Sequence, residues 1–336
     1  MMTFHLRPAV PESDFGQIAL LISSQDDEPT LESDLREDYE KHREPLLQIM
    51  TAIDDKGELP GFYWVYRNKV EPGWASFYLV VKPESRRQGA GCLLYDDLMQ
   101  AVSEAGAQKL RVSVRDNCPE GRAFAERRGF TENRHTIGME LDLQAFDDRP
   151  YTQVIERLKS EGFRFTSMEE LGNTEEAQRR LYALNDAASA STPGQGGEHA
   201  WISFEDFRQS VCGASWYQPA GQIVAIDIAS GAWAAMSAIT RMAGREYAYN
   251  LFTGVDLPYR GHKLGQAVKV LALRYARSEL KTNIVRTHHN TRNLPMIAID
   301  TRFGYKLLPG SFLMEKDIMQ AIHGRFLGVM AGEKEQ

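Results

Sequence analysis

The sequence is short of cysteine, of cationic charge and of long apolar runs, and each shortage closes off a class of protein. Three cysteines among 336 residues, Cys92, Cys118 and Cys212, form an odd, widely spaced set. That spacing builds neither a disulfide framework nor a set of metal ligands, so all three read as free thiols and no metal is expected. Lysine and arginine number 39 against 46 aspartates and glutamates, a formal net charge of -7. Broad nucleic-acid binding needs clustered positive charge, so this balance argues against it and suits a small or cationic substrate better. No stretch approaches the roughly 18 apolar residues of a membrane span, and Met1-Met2-Thr3-Phe4-His5-Leu6-Arg7-Pro8 lacks the apolar core of a secretory signal. The expectation is a cytoplasmic chain, a monomer or weak homodimer, with no membrane or nucleic-acid partner.

What is present is enough for two cores. A chain of 336 residues, 43% apolar and 25% charged, has the composition of a globular protein and the length of two ordinary domains. One stretch organises it: Leu79-Val80-Val81-Lys82-Pro83-Glu84-Ser85-Arg86-Arg87-Gln88-Gly89-Ala90-Gly91. An apolar strand breaks at proline and runs through arginines and two glycines into an amphipathic segment, 92–105. Alternate glycines let the backbone wrap closely, and the first amides of the helix have no intrahelical acceptor, so a diphosphate can bind them.

The same order of parts returns about 175 residues later by matching landmarks. Phe252-Thr253-Gly254-Val255 ends a strand, Pro258 breaks it, and Arg260-Gly261-His262-Lys263-Leu264-Gly265 leads into a helix at 266–277. Arg128-Gly129-Phe130 is echoed by Phe303-Gly304-Tyr305. A duplicated domain follows, with the break placed at Asp147-Asp148-Arg149-Pro150. We expect domains at 1–146 and 162–336, joined by a linker at 147–161.

Periodicity and punctuation set out each half. In the first we expect a strand at 3–7, helices at 11–23 and 31–43 around an acidic turn at 25–29, and strands at 46–53, 61–67 and 74–81. After the loop come a helix at 92–105, a strand at 109–114, a helix at 119–128 and a late strand at 137–143. In the second we expect a strand at 162–167, helices at 174–188 and 204–212 around a polar loop at 191–197, and strands at 222–228, 232–240 and 246–255. A helix at 266–277, a strand at 284–287, a helix at 294–302 and a strand at 313–316 complete it. Phe62, Tyr63, Trp64 and Tyr66 read as strand packing, since alternate members face opposite sides.

The glycine loop resembles the Arg/Gln-x-x-Gly-x-Gly/Ala signature of the GNAT superfamily of N-acetyltransferases. Arg86, Gly89 and Gly91 fill it in the first copy. In the second, Arg260 and Gly265 match while Lys263 stands at the first glycine. Counting both copies, the resemblance spans nearly the whole chain, and among two-copy members it is similar to the mycothiol synthase type. It implies an α/β (α+β) chain of two domains, each a mixed, mostly antiparallel sheet flanked by helices. It further implies acetyl-CoA as acyl donor and no metal. Leu79, Val80, Val81, Arg86, Arg87, Gln88, Gly89, Ala90 and Gly91 would hold it in the first half. Thr253, Gly254, Val255, Arg260, Gly261, His262, Lys263, Leu264 and Gly265 would do so in the second.

The implied reaction is direct attack of a small-molecule amine on the thioester, helped by positioning, proton removal and a backbone amide at the developing oxyanion. The helix after the fifth strand in this superfamily often carries an asparagine and, seven residues later, a tyrosine that protonates the thiolate. The second half has Asn293 and Asp300 at these places, the first Cys118 and Ala125. The first half is therefore expected to bind cofactor without turning it over. Candidate bases are Glu246, Tyr249 and the pair His288-His289, of which His289 is favoured because imidazole titrates nearest neutrality. Adjacent histidines at a strand end are more often surface or loop residues, since catalytic use needs a geometry that sequence does not show. A rival reading, an acyl-CoA-binding sensor or scaffold, rests on the missing tyrosines.

Overall fold

The computed structural model describes residues 3–25, 30–41, 46–68, 71–193, 203–242 and 244–318. The chain divides into two units, Met1–Asn133 with Phe312–Gln336, and Arg134–Ser311.

The first unit starts with β1 (Phe4–Pro8), α1 (Pro11–Ser23) and α2 (Glu32–Lys41). Proline in the first turn and acids at Glu12 and Asp14 favour the start of α1. Asp14 is itself buried and tied to Arg7 by two bonds of 2.6 and 2.9 Å, which hold its carboxyl below the usual range. Then come β2 (Leu46–Asp54), β3 (Gly61–Arg67), β4 (Trp74–Val81), α3 (Ala90–Glu104), β5 (Lys109–Arg115) and α4 (Pro119–Glu126). Alternation along β3 decides the layering. Tyr63 and Val65 join a core with Leu94, Leu98 and Leu110, whereas Phe62 and Trp64 join one with Phe15, Ile18 and Leu35. Helices therefore cover both faces of the sheet, α3 on one and α1 with α2 on the other. Strands β1 to β4 pair antiparallel in sequence order, and β4 pairs with β5 in parallel.

The second unit repeats this plan. It contains most of β6 (Thr131–Asp142), then α5 (Arg149–Ser160), β7 (Phe163–Ser167), α6 (Glu175–Ala190), α7 (Phe204–Phe207), β8 (Gln222–Asp227), β9 (Trp233–Thr240) and β10 (Ala248–Val255). After these come α8 (Leu264–Ser278), β11 (Ile284–Asn290), α9 (Leu294–Phe303) and β12 (Lys306–Asp317). Val268, Ala272, Leu273 and Ala276 of α8 pack on Ala225, Ala235, Ile239 and Val285 on one face. Leu181, Leu184, Phe207, Val224 and Met236 form the core on the other. Within each unit the sheet is mixed and mostly antiparallel, as the sequence implied.

Two features depart from the sequence reading. The residues from Arg134 onward in β6 belong to the second unit, where they pair antiparallel with β11 from Thr136↔Asn290 to Asp142↔Ile284. Residues from Phe312 onward, at the end of β12, belong to the first, whose strand order is β1-β2-β3-β4-β5-β12. Each half thus contributes its last strand to the other unit, and the boundary lies at 133/134 and 311/312 rather than in a linker. The expected linker 147–161 carries the helix α5, whose Ile155 and Leu158 are core residues. Both late strands are also longer than expected. The segment 204–212 is a short α-helix that relaxes into a π-turn at Arg208–Cys212. Residues 26–29 of the acidic turn and 194–197 of the polar loop lie outside the described residues.

Candidate active site

The two glycine loops have one backbone shape. Each follows a 3-10 turn, Pro83–Ser85 and Leu257–Tyr259, after which Arg86 (φ -68, ψ 157) and Arg260 (φ -70, ψ 156) are extended. The Arg86 Nε donates to the Val81 carbonyl at 3.1 Å, and Arg260 Nε to the Val255 carbonyl at 3.2 Å, so each guanidinium ties the loop to its own strand. Positive φ follows at Arg87 and Gly261, and again at Gly89 (φ 105) and Lys263 (φ 68, ψ 14). Lys263 therefore adopts the left-handed conformation that glycine supplies in the first loop, at a cost of about 1–2 kcal/mol.

Both following helices are left open at their N-termini. Neither α3 nor α8 has a side-chain cap or an acidic residue in its first turn. By contrast, α6 is capped by Thr174 and carries Glu175 and Glu176. Uncapped amides at the positive end of a helix dipole are an anion site, and arginines beside them add charge. Around the first loop Arg86 and Arg87 also face Glu120, at 3.3 and 3.7 Å. In the second Arg260 donates to Ser191 Oγ at 2.5 Å. Gln88, Ala90, Gly91, His262, Leu264 and Gly265 lie within these loops and first turns.

The strands before the loops open a gap in each sheet. Parallel pairing of β4 with β5 runs from Trp74↔Lys109 to Phe77↔Val112, and that of β10 with β11 covers Ala248↔Val285 and Tyr249↔Arg286. Beyond these pairs Leu79, Val80 and Val81 bond across to β3, and Thr253, Gly254 and Val255 to β9. Their other edges have no strand partner among the described residues. Gly254 also answers a packing demand, since a Cβ there would stand 2.6 Å from Ala188 Cβ and from the Phe252 ring.

Here the units part company. The β3–β4 register is unbroken, whereas β10 has a bulge between Asn250 and Phe252. Buried Asn250 holds that bulge by donating to Ser237 Oγ (3.1 Å) and the Ala238 carbonyl (2.8 Å). A bulge turns a backbone amide out of its ladder. Beside it, Tyr249 Oη and His288 Nδ1 are 2.7 Å apart, and His288 is exposed. Desolvation of the ring, with the positive charge of Arg134 adding to it, holds the His288 imidazole below its ordinary pKa, so it is neutral near pH 7.

The favoured histidine sits differently. His289 is 9% exposed, and its Nε2 lies 2.6 Å from Asp300 Oδ2. Asn293 is the N-cap residue of α9 but makes no side-chain cap bond. Glu246 precedes β10 at its paired end, exposed, with its carbonyl accepting from Thr282 Oγ1 at 2.8 Å. The structure thus brings Tyr249 together with His288 and leaves Glu246 away from the gap. Three groups of this region had no assigned role in the sequence reading: His288 as Tyr249's partner, Lys269 and Asp300. Lys269 had a signal, because its place on α8 falls in phase with buried Gly265, Leu273 and Ala276. Among the described residues no cluster suited to a metal ion occurs, and no helix is long and apolar enough to cross a membrane.

Comparison with known proteins fits this geometry. The acetyltransferase (GNAT) family matches residues 17–130. A mycothiol acetyltransferase of Mycolicibacterium gilvum is 28% identical over 60% of this chain, a span covering 59% of that relative's length. One from Acidothermus cellulolyticus is 26% identical over 80% of this chain and 79% of its own. The solved structure of a tandem GNAT protein from the clavulanic acid biosynthesis pathway superposes with a TM-score of 0.68 at 19% identity, over 94% of this chain and 98% of its own. Residues 17–130 are thus similar to a GNAT acetyltransferase domain, and the chain as a whole shares the fold of that solved tandem GNAT protein.

Proposed function

We propose that the chain transfers an acetyl group from acetyl-CoA to the amine of a small molecule, with the second unit performing the transfer and the first binding the cofactor without turnover. The observation that carries this reading is an asymmetry: both units have a loop of the same backbone shape, but among the described residues the strand bulge and the Tyr249–His288 pair occur beside the gap of the second alone. The relatives named mycothiol acetyltransferase support acetyl transfer to a small molecule.

The loops fit such a cofactor, for each offers uncapped, acid-free helix amides with an arginine tied to the preceding strand. Residues 86–91 and 260–265 would hold its diphosphate, and 79–81 and 253–255 its pantetheine arm. Acetyl-CoA supplies an acetyl group activated as a thioester. The chain's own part begins with His288, which is neutral, exposed and bonded to Tyr249, and so is ready to take a proton from an ammonium group. The amide freed at the bulge donates to negative charge developing on the carbonyl oxygen.

The test is CoA release, followed with a thiol reagent over a panel of small amines. At least one amine should raise the rate well above acetyl-CoA hydrolysis, with an N-acetyl product by mass. Saturable CoA binding with no product for any amine would establish the sensor reading instead.

A further inference from the structure

Behind β11 the second unit buries a row of charged groups that the first unit does without. Lys269 on α8 and Asp300 on α9 are both 0% exposed and in contact through Nζ and Oδ1. The other carboxylate oxygen of Asp300 meets His289 Nε2 at 2.6 Å. The Lys269 Nζ also lies 4.9 Å from the centre of the Tyr305 ring, whose buried hydroxyl has no partner among the described residues. The titratable and charged groups linked to His289 are Asp300 on α9, through it Lys269 on α8 and the Tyr305 ring before β12, and its neighbour His288, which in turn feels Arg134 on β6.

The first unit is an internal control. Helices α3 and α8 are both 15 residues long, and β5 and β11 both 7. The sixth residue of each helix is Tyr95 or Lys269, and the sixth of each strand is Val114 or His289. The seventh residue of α4 is Ala125, and that of α9 is Asp300. Tyr95 and Ala125 are buried, with Phe130 in the place of Tyr305. The fold is thus satisfied by apolar and aromatic groups at these places. A buried ion pair seldom stabilises more than such a set, because desolvation offsets its attraction. Stability alone does not account for Lys269, Asp300 and His289.

Burial pushes the Asp300 carboxyl up, but Lys269 and His289 outweigh it and hold it below the usual range. An ionised Asp300 2.6 Å away requires a proton on His289 Nε2, and in the tautomer that carries only that proton Nδ1 is an acceptor. His289 lies past the last residue of β11 that pairs with β10, beside the gap.

We infer that Lys269 and Asp300 are positioning residues that fix His289 as the Nε2-protonated tautomer, so that its Nδ1 carries the transferred proton in the acetyl transfer. This rests on the function proposed above. His289 Nδ1 takes the proton that a neutral amine nitrogen loses as its bond to the acetyl carbon forms. It returns that proton to the sulfur as the carbon–sulfur bond breaks, ending neutral.

Two experiments test this. In imidazole 15N NMR, His289 should show a protonated Nε2 and an unprotonated Nδ1 at neutral pH, its signals should move when CoA is added, and Asp300→Asn should abolish the tautomer preference. A protonated Nδ1, or signals indifferent to CoA, would overturn the inference whether or not any acceptor has been found. The second is the combined variant Lys269→Tyr, Asp300→Ala, His289→Val, which copies the first unit. It should keep or raise the melting temperature while kcat falls about 10²-fold or more, with the acetyl-CoA KM nearly unchanged. A fully active, folded variant would show the row to be structural; if it does not fold, Asp300→Asn and the NMR decide. Absence of turnover in the unmodified chain would count against the proposed function alone.

Discussion

Adjacent histidines do different things here because a strand turns successive side chains to opposite faces. His288 stays in reach of solvent and of Tyr249, while His289 turns inward to Asp300. Since the folded pKa of His288 lies below its ordinary value, the unfolded chain binds the extra proton first as pH falls. Its stability contribution is present above about pH 6.5 and is lost as pH drops through the folded pKa. As a base it must be neutral, so the acid limb of kcat/KM against pH should fall below about 6.5, and His288→Ala should remove that limb along with most of the rate. An unchanged limb in the variant would assign it to another group. The sequence made a His-His pair legible but not which member reaches solvent, because that depends on register against β6 and β10. Lys269 carried only the signal of its phase with buried Gly265, Leu273 and Ala276. A lysine on an amphipathic helix ordinarily marks the wet face, and its partner Asp300 is far away in sequence.

At the scale of elements, strands and helices followed from periodicity, and the two matching loops from glycine, arginine and proline. The destination of the last strands did not, since backbone pairing carries no side-chain label and alternation looks the same in either unit. The first unit depends on its borrowed strand. Met314 is 1% exposed in its core, and Arg111 sits between Glu71 (2.7 Å) and Glu315 (2.8 Å) with its guanidinium 4.3 Å from the Trp74 ring. Met314→Ala should therefore destabilise the first unit by about 2–4 kcal/mol, read by denaturant unfolding of fluorescence from Trp64 and Trp74. An unchanged transition would show that the strand is dispensable there. The strand bulge at Asn250–Phe252 was equally invisible, because the polar residues that hold it, Ser237 and Asn250, resemble ordinary strand polar residues until they are paired.

For the whole molecule, duplication was legible in the sequence. That the second half alone keeps Asn293 and has adjacent histidines pointed to it as the working unit, and the bulge with its Tyr249–His288 pair supports that proposal. The first loop remains well formed, with Gly89 exposed and open space around its missing Cβ. A substitution there meets strain from φ 105 but no clash, so Gly89→Glu should fold and repel a diphosphate by its charge. The most direct test compares this variant with Tyr249→Phe, His288→Ala, by measuring acetyl-CoA turnover and CoA stoichiometry on the same samples. Gly89→Glu should lose one bound CoA and keep turnover within about twofold, while the double variant keeps both CoA sites and loses turnover roughly 10²–10⁴-fold. Turnover abolished by Gly89→Glu and surviving the double substitution would contradict the account and place the reaction in the first unit.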